Sequence, residues 1–302
     1  MASFFDEINK NKIKSILLML IFGIFFAGIV YIFVLFFGGG LIGLIVGLVL
    51  ILLYAIFVYA TGDKLVLKIS RAYEADKTQY RDLYDIVDEL ATAAMINPAP
   101  KVYVINDPNP NAFATGRNKK HASIAVTTGL LQMMNREELT GVISHEMSHI
   151  YNNDIQFMLV AVVFAGIIGL IAALFRNILF FGFWGGNGRR NNDVGIILLL
   201  AIIVGVLAPI FAALIRLAIS RKREYMADAN GARITRAPRY LASALKKIQA
   251  YEQNPNAPGV KNVNEITSNL YFANPFNKKS LMNLFSTHPP IEDRIKKLEE
   301  MY

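Results

Sequence analysis

The sequence predicts an α-rich α+β protein, with four transmembrane helices arranged in two hairpins and a domain outside the membrane that contains a small β-sheet. Two observations predict the membrane part. Of the 302 residues, 54% are hydrophobic and 18% are charged, and the apolar residues are gathered into long uncharged blocks. In the remaining chain, short segments of alternating apolar and polar residues predict strands and amphipathic segments predict helices, and together they predict the domain outside the membrane.

Four of the uncharged blocks have the length of a membrane span. Residues 15–37 and 41–60 are separated by three glycines, and residues 155–175 and 194–215 lie later in the chain. At about 1.5 Å of rise per residue, each block is long enough to cross a hydrocarbon core as a helix. The first block is too long for the apolar part of a cleaved signal peptide, so we expect it to be retained. The alternative, buried helices of a large soluble core, requires one uncharged stretch to supply two of them.

Basic residues beside these blocks predict the orientation of the hairpins. Clusters precede the first span, follow the second and follow the fourth, and such clusters favour the cytoplasmic side. The loop between the third and fourth spans carries three arginines and one aspartate, so either it is exported despite its charge or the second hairpin is shallow. The net charge of +8 indicates contact with a lipid bilayer and needs no nucleic-acid partner to explain it. The clusters are Lys10, Lys12 and Lys14; Lys64, Lys68 and Arg71; and Arg216, Arg221, Lys222 and Arg223.

Residues 145–149 form a His-Glu-x-x-His motif within a predicted helix. The helix begins with a predicted capping box at residues 135–138, and apolar residues follow at helical spacing. Residues four apart share a helix face, so His145 and His149 can offer two imidazoles to one zinc ion while Glu146 lies one step round. The motif therefore predicts a metal-dependent peptide hydrolase.

A second predicted helix offers further ligands for such a metal. The sequence contains no cysteine and four histidines, so the site must be built from His, Asp and Glu. Glu224 and Asp228 are four apart, so one carboxylate can bind the metal while the other accepts a hydrogen bond from a ligand imidazole. The spacing leaves open which carboxylate does which. Because the second hairpin crosses the membrane twice, both helices are expected on the same side.

The domain outside the membrane is expected to hold a small sheet before the metal helix. An extended peptide can add itself to an exposed edge of such a sheet, although a strand that is paired internally is the alternative reading. The predicted strands are residues 101–105, 112–115 and 122–126, and the predicted helices are residues 71–96, 240–251 and 291–301.

Several segments carry a resemblance to a known family over nearly the whole chain. They include the N-terminal pair of spans, the motif at residues 145–149 and the segments 111–116, Val126-Thr127-Thr128-Gly129-Leu130-Leu131, Arg223-Glu224 with Ala227-Asp228, and Thr287-His288-Pro289-Pro290. In these segments the chain resembles the HtpX group of membrane zinc metalloproteases, which are related to the Ste24 and Oma1 proteases of the M48 class. The resemblance implies a gluzincin-type metalloprotease domain on the cytoplasmic side of a bacterial inner membrane.

The resemblance also implies roles for individual residues. His145, His149 and Glu224 correspond to the ligands of one zinc ion per chain, and Glu146 corresponds to the general base that takes a proton from the attacking water. Asp228 corresponds to the carboxylate that orients a ligand histidine. The segment Asn111, Ala112, Phe113, Ala114, Thr115 and Gly116 corresponds to the edge strand that binds substrate.

Two residues have less definite roles. As a lone histidine before two prolines, His288 favours a structural role, whereas the resemblance implies a role near the substrate or the oxyanion. Asp154 lies beyond the helix face of the motif. It is either a second-shell group of the metal site or an N-cap of the following span, and the sequence does not decide between them.

The function expected from the sequence is that of a membrane-embedded zinc metalloendopeptidase that cleaves misfolded or damaged membrane proteins at the cytoplasmic membrane face. The alternative is a zinc-binding membrane scaffold or transporter without protease activity. The expected organisation is residues 1–14 as a cytoplasmic N-terminus, 15–60 as the first hairpin, 61–154 as the first half of the catalytic domain, 155–215 as the second hairpin and 216–302 as the second half of the catalytic domain.

Overall fold

The computed structural model describes residues 40–156, 221–254 and 289–301. Of these, residue 59 onward belongs to one compact unit and residues 40–58 belong to another. The described elements, in chain order, are α1 (Gly40–Ile69), β1 (Tyr73–Glu74), α2 (Arg81–Ala93), β2 (Lys101–Ile105), β3 (Ala112–Gly116), a 3₁₀ turn (Lys119–His121), β4 (Ala122–Thr127), α3 (Thr128–Met133), α4 (Arg136–Tyr151), α5 (Arg221–Thr235), α6 (Pro238–Gln253) and α7 (Ile291–Glu299).

Helix α1 covers the second predicted span, and it continues for nine residues beyond residue 60. Large apolar side chains such as Leu41, Ile42 and Phe57 are exposed along it. Even so, a search of the described residues finds no helix whose length and hydropathy together suffice for a membrane crossing. The other three predicted spans lie outside the described residues, apart from residues 155 and 156 at the start of the third.

The four strands form one mixed sheet in the order β1-β2-β4-β3. β2 runs parallel to β4, while β1 and β3 run antiparallel to β2 and β4 respectively. The three predicted strands are confirmed, and β1 adds a two-residue strand that is too short to leave an alternation pattern. Among the described strands β3 lies at one edge of the sheet, and all five of its residues are buried.

The helix predicted for residues 71–96 is wrong over its first ten residues, because α2 begins only at Arg81. The preceding residues form β1 and then a turn. In that turn the carboxylate of Asp76 accepts hydrogen bonds from the backbone N–H groups of Thr78, at 2.7 Å, and Gln79, at 3.1 Å. A short acidic side chain that bonds to the backbone in this way offers it an alternative to helix, which explains the late start.

Helix α4, which carries the His-Glu-x-x-His motif, is buried between other elements. Contacts with β3, α5, α6 and α2 cover it, and two glycines let neighbouring helices approach closely. A Cβ at Gly141 would lie 2.5 Å from the backbone nitrogen of Leu241 in α6, and one at Gly231 would lie 2.9 Å from Oγ of Ser144. Glycine at these positions therefore places α5 and α6 directly against the backbone of the motif helix. The apolar positions predicted to face the core, Leu139, Val142, Ile143 and Ile150, are all buried.

The predicted capping box at the start of α4 is confirmed. Oδ1 of Asn135 accepts from the backbone N–H of Glu138 at 2.9 Å, and the Glu138 carboxylate accepts from the Asn135 backbone at 3.0 Å. From α6, Ser243 and Lys247 also donate to the Glu138 carboxylate, at 2.8 and 2.6 Å. Burial alone would raise the pKa of Glu138, but these hydrogen bonds outweigh burial and hold the pKa below its ordinary value. One carboxylate thus fixes both the start of α4 and its contact with α6.

Candidate metal centre

Helices α4 and α5 bring three side chains with metal-binding atoms together. Nε2 of His145 and Nε2 of His149 are 3.1 Å apart, and the Glu224 carboxylate oxygens lie 3.6 Å from the first nitrogen and 3.7 Å from the second. The ligand atoms of the three residues all lie within 4.8 Å of one another, and the three side chains are buried.

These distances fit a tetrahedral zinc ion. Zinc binds imidazole nitrogen and carboxylate oxygen at roughly 2.1 Å, so two ligand atoms at tetrahedral positions lie about 3.4 Å apart. The two Nε2 atoms, at 3.1 Å, are close to that separation, and each of them faces a different oxygen of Glu224, at 3.6 and 3.7 Å. Three protein ligands leave the fourth position open to water or substrate, as in catalytic zinc sites.

The ring of His145 is oriented by Asp228, which lies one turn after Glu224 on α5. Nδ1 of His145 is 2.8 Å from Oδ1 of Asp228. Arg294 of α7 in turn donates to both oxygens of Asp228, through Nε at 2.9 Å and Nη2 at 2.7 Å. Burial by itself would raise the pKa of Asp228, but Arg294 and the hydrogen bond with His145 outweigh it and lower the pKa to about 2. The carboxyl is therefore ionised, as an acceptor for the imidazole N–H must be.

The ring of His149 is oriented by a different carboxylate. Its Nδ1 lies 3.1 Å from Oδ2 of Asp154, while Oδ1 of Asp154 lies 3.9 Å from Nη1 of Arg223. The sequence left open whether Asp154 belongs to the metal site or caps the following span. In the structure it contacts the imidazole, and it is buried.

The protonation of the two imidazoles follows from these contacts. Each Nδ1 faces a carboxylate and so carries a proton, which leaves the two Nε2 atoms as the positions that can bind a metal. Burial lowers the pKa of His145 to about 4, because the Asp228 contact only partly opposes it. Burial acts on His149 too, but the hydrogen bond with Asp154 and the charges of Glu224, Asp154 and Glu146 outweigh it and raise the pKa to about 9. The carboxylates thus attract a positive charge to Nε2 of His149, which is where a metal ion would bind.

The net charge of the buried residues also fits a divalent cation. Four carboxylates and two guanidiniums are buried around the two imidazoles. If the four carboxyls are ionised and both imidazoles are neutral, as metal binding requires, this group carries a net charge of −2, which is costly to bury without compensation. A 2+ ion between the ligands brings the sum to zero. The charged residues of this group are Glu146, Asp154, Glu224, Asp228, Arg223 and Arg294.

The remaining predicted site residues lie at different distances from this centre. Glu146 is buried on α4 directly after the first ligand histidine, and it is close enough for its charge to raise the pKa of His149. The predicted substrate segment, residues 111–116, contains β3, which packs against α4. His288 lies outside the described residues.

Sequence reasoning missed the two arginines of the site. Arg294 lies on a short helix with an amphipathic pattern, where a charged residue is ordinarily exposed, so nothing in the pattern marks it as buried. Arg223 belongs to a basic cluster that we interpreted as a flank of the fourth span. Asp154 was one of two possibilities in the sequence, because a metal-binding histidine usually donates its other ring N–H to a carboxylate, a carbonyl or water.

Comparison with known proteins places the chain in a family. The profile of peptidase family M48 matches residues 77–302, which is most of the chain. The chain belongs to peptidase family M48 and is a metallopeptidase. The resemblance inferred from the motifs is confirmed by this match.

Relatives match the chain over nearly its full length. A protein from Caldanaerobacter subterraneus subsp. tengcongensis is 47% identical over 97% of this chain and 96% of its own length. A protein from Thermoanaerobacter pseudethanolicus is 45% identical, with coverage of 97% and 96% respectively. Both are named protease HtpX homolog. Among solved structures, S. mikatae Ste24p is similar with a TM-score of 0.48 and 20% identity, over 96% of this chain and 65% of that chain.

Proposed function

We propose that this chain is a zinc metalloendopeptidase in which His145, His149 and Glu224 hold one zinc ion. The observation that carries the proposal is that both Nε2 atoms and the Glu224 carboxylate lie close enough together to bind one ion. Three protein ligands are the number found in catalytic zinc sites, which keep a further position for water. The neutral His145 ring and the excess of buried negative charge support a divalent cation at this position.

Glu146 is the general base of the proposed reaction. A zinc ion held by His145, His149 and Glu224 would supply Lewis acidity to activate the attacking water and to polarise the scissile carbonyl. Glu146 takes the proton from the attacking water and passes it to the departing amine, so no covalent intermediate with the protein is needed. Its position next to His145 on α4 and its burial among the ligands support this role.

β3 is the proposed docking strand for substrate. The backbone N–H of Thr127 donates to the carbonyl of Asn111 at 2.9 Å, so the backbone groups of Asn111 point toward β4. Because backbone groups alternate along an antiparallel strand, those of Ala112 and Ala114 point to the other edge. The N–H of Ala112 already donates to Oδ1 of Asn111 at 2.8 Å, so the proposed pairing relies on Ala114. An extended peptide that pairs there gains main-chain hydrogen bonds whatever its sequence, which suits an endopeptidase of broad specificity. The edge position of β3 and its packing against the motif helix support this assignment.

The proposed substrates are misfolded or damaged membrane proteins, cleaved at the cytoplasmic face of a bacterial inner membrane. The four uncharged blocks of the sequence and the exposed apolar side chains of α1 support a membrane location. The two transmembrane hairpins, the domain boundaries and a role for His288 near the substrate remain part of this proposal.

Proteolysis of an unfolded soluble protein such as casein tests the proposed activity. We expect detergent-purified protein to cleave it, Glu146→Gln to abolish cleavage while retaining bound zinc, and chelation followed by zinc to remove and restore activity. Glu137→Gln is the matched control, because Glu137 is exposed on the same helix. A fully active Glu146→Gln protein would exclude Glu146 as the base.

A further inference from the structure

Asp154 and Arg223 lie on either side of the segment 157–220 in the sequence, and both are part of the metal centre. Asp154 comes shortly before this segment and Arg223 shortly after it. In the structure the two side chains form a buried ion pair at 3.9 Å, with side-chain exposures of 2% and 9%. The pair therefore connects the parts of the chain before and after this segment beside the proposed metal ligands.

We propose that Asp154 and Arg223 are a pair of positioning residues for the metal site. In this role Asp154 fixes the ring of His149, and Arg223 fixes Asp154 and the adjoining Glu224. The inference deepens the proposed function and rests on it, because it concerns the same metal ion. The Asp154–Arg223 pair would then be a second arginine–carboxylate pair at the site, beside the pair that Arg294 and Asp228 form next to His145.

The end of helix α4 brings Asp154 back to the ring of His149. Asn152 is the C-cap, and its backbone N–H still bonds to the carbonyl of Ser148 at 2.9 Å. Asn153 has a φ of 60°, in the left-handed region that asparagine tolerates better than most residues. This reversal places the carboxylate of Asp154 beside Nδ1 of a histidine only five positions earlier.

The two oxygens of Asp154 are divided between its two partners. Oδ2 faces Nδ1 of His149 at 3.1 Å, and Oδ1 faces the guanidinium of Arg223. A carboxylate held from both sides cannot rotate without losing one contact, so it fixes both the tautomer and the orientation of the ring.

Arg223 is held between two carboxylates in a buried position. Burial lowers the pKa of its guanidinium, while the charges of Asp154 and Glu224 act in the opposite direction. A desolvated guanidinium needs compensating negative charge, and Asp154 and Glu224 supply it here. Arg223 is also the residue directly before Glu224 in the sequence.

Metal affinity and coordination geometry measure positioning independently of catalysis. We expect Asp154→Ala to weaken zinc binding by about 10–100-fold, measured by competition with a chromophoric chelator, and to change the visible spectrum of the cobalt-loaded protein. Asp154→Asn should weaken it less, because the amide oxygen still accepts from Nδ1–H. Arg223→Met should weaken binding, and Arg223→Lys should recover part of the loss. Asp88→Ala, at an exposed position on α2, should leave both readouts unchanged.

A double variant shows whether the two residues act as one unit. If they do, Asp154→Ala combined with Arg223→Met should cost less than the product of the two single losses, because the second change removes a group whose partner is already gone. Wild-type affinity and an unchanged cobalt spectrum in Asp154→Ala, or in Asp154→Asn if the alanine variant does not fold, would overturn the inference while leaving the proposed function intact. Wild-type protein that binds no zinc would instead contradict the proposed function.

Discussion

Arg294 donates two hydrogen bonds to Asp228, through Nε at 2.9 Å and Nη2 at 2.7 Å, and both residues are buried. A bidentate contact of this kind fixes the plane of the carboxylate as well as its position. Because Asp228 also holds the ring of His145, the contact connects the C-terminal helix α7 to the metal centre.

Removing Arg294 should destabilise the protein strongly. Arg294→Met leaves the carboxylate of Asp228 buried without its cation, and breaking a buried pair typically costs about 3–5 kcal/mol. Thermal or denaturant unfolding in detergent measures this loss. Arg81→Met is the control, because the Arg81–Asp85 pair is exposed and 4.0 Å long, and its loss should cost less than about 1 kcal/mol. Equal stability of the two variants would show that the buried contact contributes nothing beyond an exposed one.

The Lys247–Glu138 contact should stabilise the protein in a manner that depends on pH. Lys247→Met removes a charged hydrogen bond to a mostly buried carboxylate, worth about 1 kcal/mol once the partial exposure of Lys247 is allowed for. The folded pKa of Glu138 is lowered, so this contribution is present above its ordinary pKa of 4.5 and is lost as pH falls through the folded value. Unfolding of wild type and variant at neutral and acidic pH should therefore show a difference that shrinks in acid. A difference independent of pH would contradict the assignment.

Zinc binding should release about one proton at about pH 7.5. The pKa of His149 is raised to about 9, so its ring binds a proton that zinc must displace, whereas His145, at about 4, is already neutral. Protonation of His149 stabilises the metal-free protein fully below pH 6.5, and this contribution is lost as pH rises through about 9. Apparent zinc affinity should rise over the same range. Calorimetric titration in buffers of different ionisation enthalpy counts the protons, and a count of zero at this pH would refute the prediction.

Substrate pairing with β3 should depend on the N–H of Ala114. Proline at this position removes a backbone donor that points away from β4, so the ladder between β3 and β4 keeps its hydrogen bonds. We expect Ala114→Pro to raise KM for casein by about tenfold, the equivalent of about 1.4 kcal/mol of lost main-chain bonding, while bound zinc stays unchanged. Ala114→Val keeps the N–H and is the control for added volume at this buried position. Equal KM values for the two variants would argue that substrate does not pair there.

The features that local sequence predicts best are those in which neighbouring residues carry the signal. The capping box at Asn135, the buried face of α4 and the three alternating strands all follow from spacing within a few positions, and the structure confirms them. We expected α4 and α5 to lie together, because the motifs that contain His145 and Glu224 both supply residue types that bind a metal.

The features that local sequence misses depend on distant partners. Arg294 is buried because Asp228, 66 positions earlier, compensates its charge, and no pattern on α7 reveals this. Helix α2 begins late because Asp76 forms a turn. Amphipathic spacing does not reveal this turn. Arg223 was assigned to a membrane flank because basic residues beside apolar blocks ordinarily have that role.

Zinc content per chain shows whether His145, His149 and Glu224 hold one zinc ion. Elemental analysis of protein purified without added metal, and of protein reloaded after chelation, should give one zinc per wild-type chain. Glu224→Ala should lose it, because two imidazoles alone hold zinc far more weakly than three ligands do. Glu146→Gln should keep it, because Glu146 lies outside the ligand set. One zinc per chain in Glu224→Ala with unchanged affinity, or none in wild type, would contradict the account.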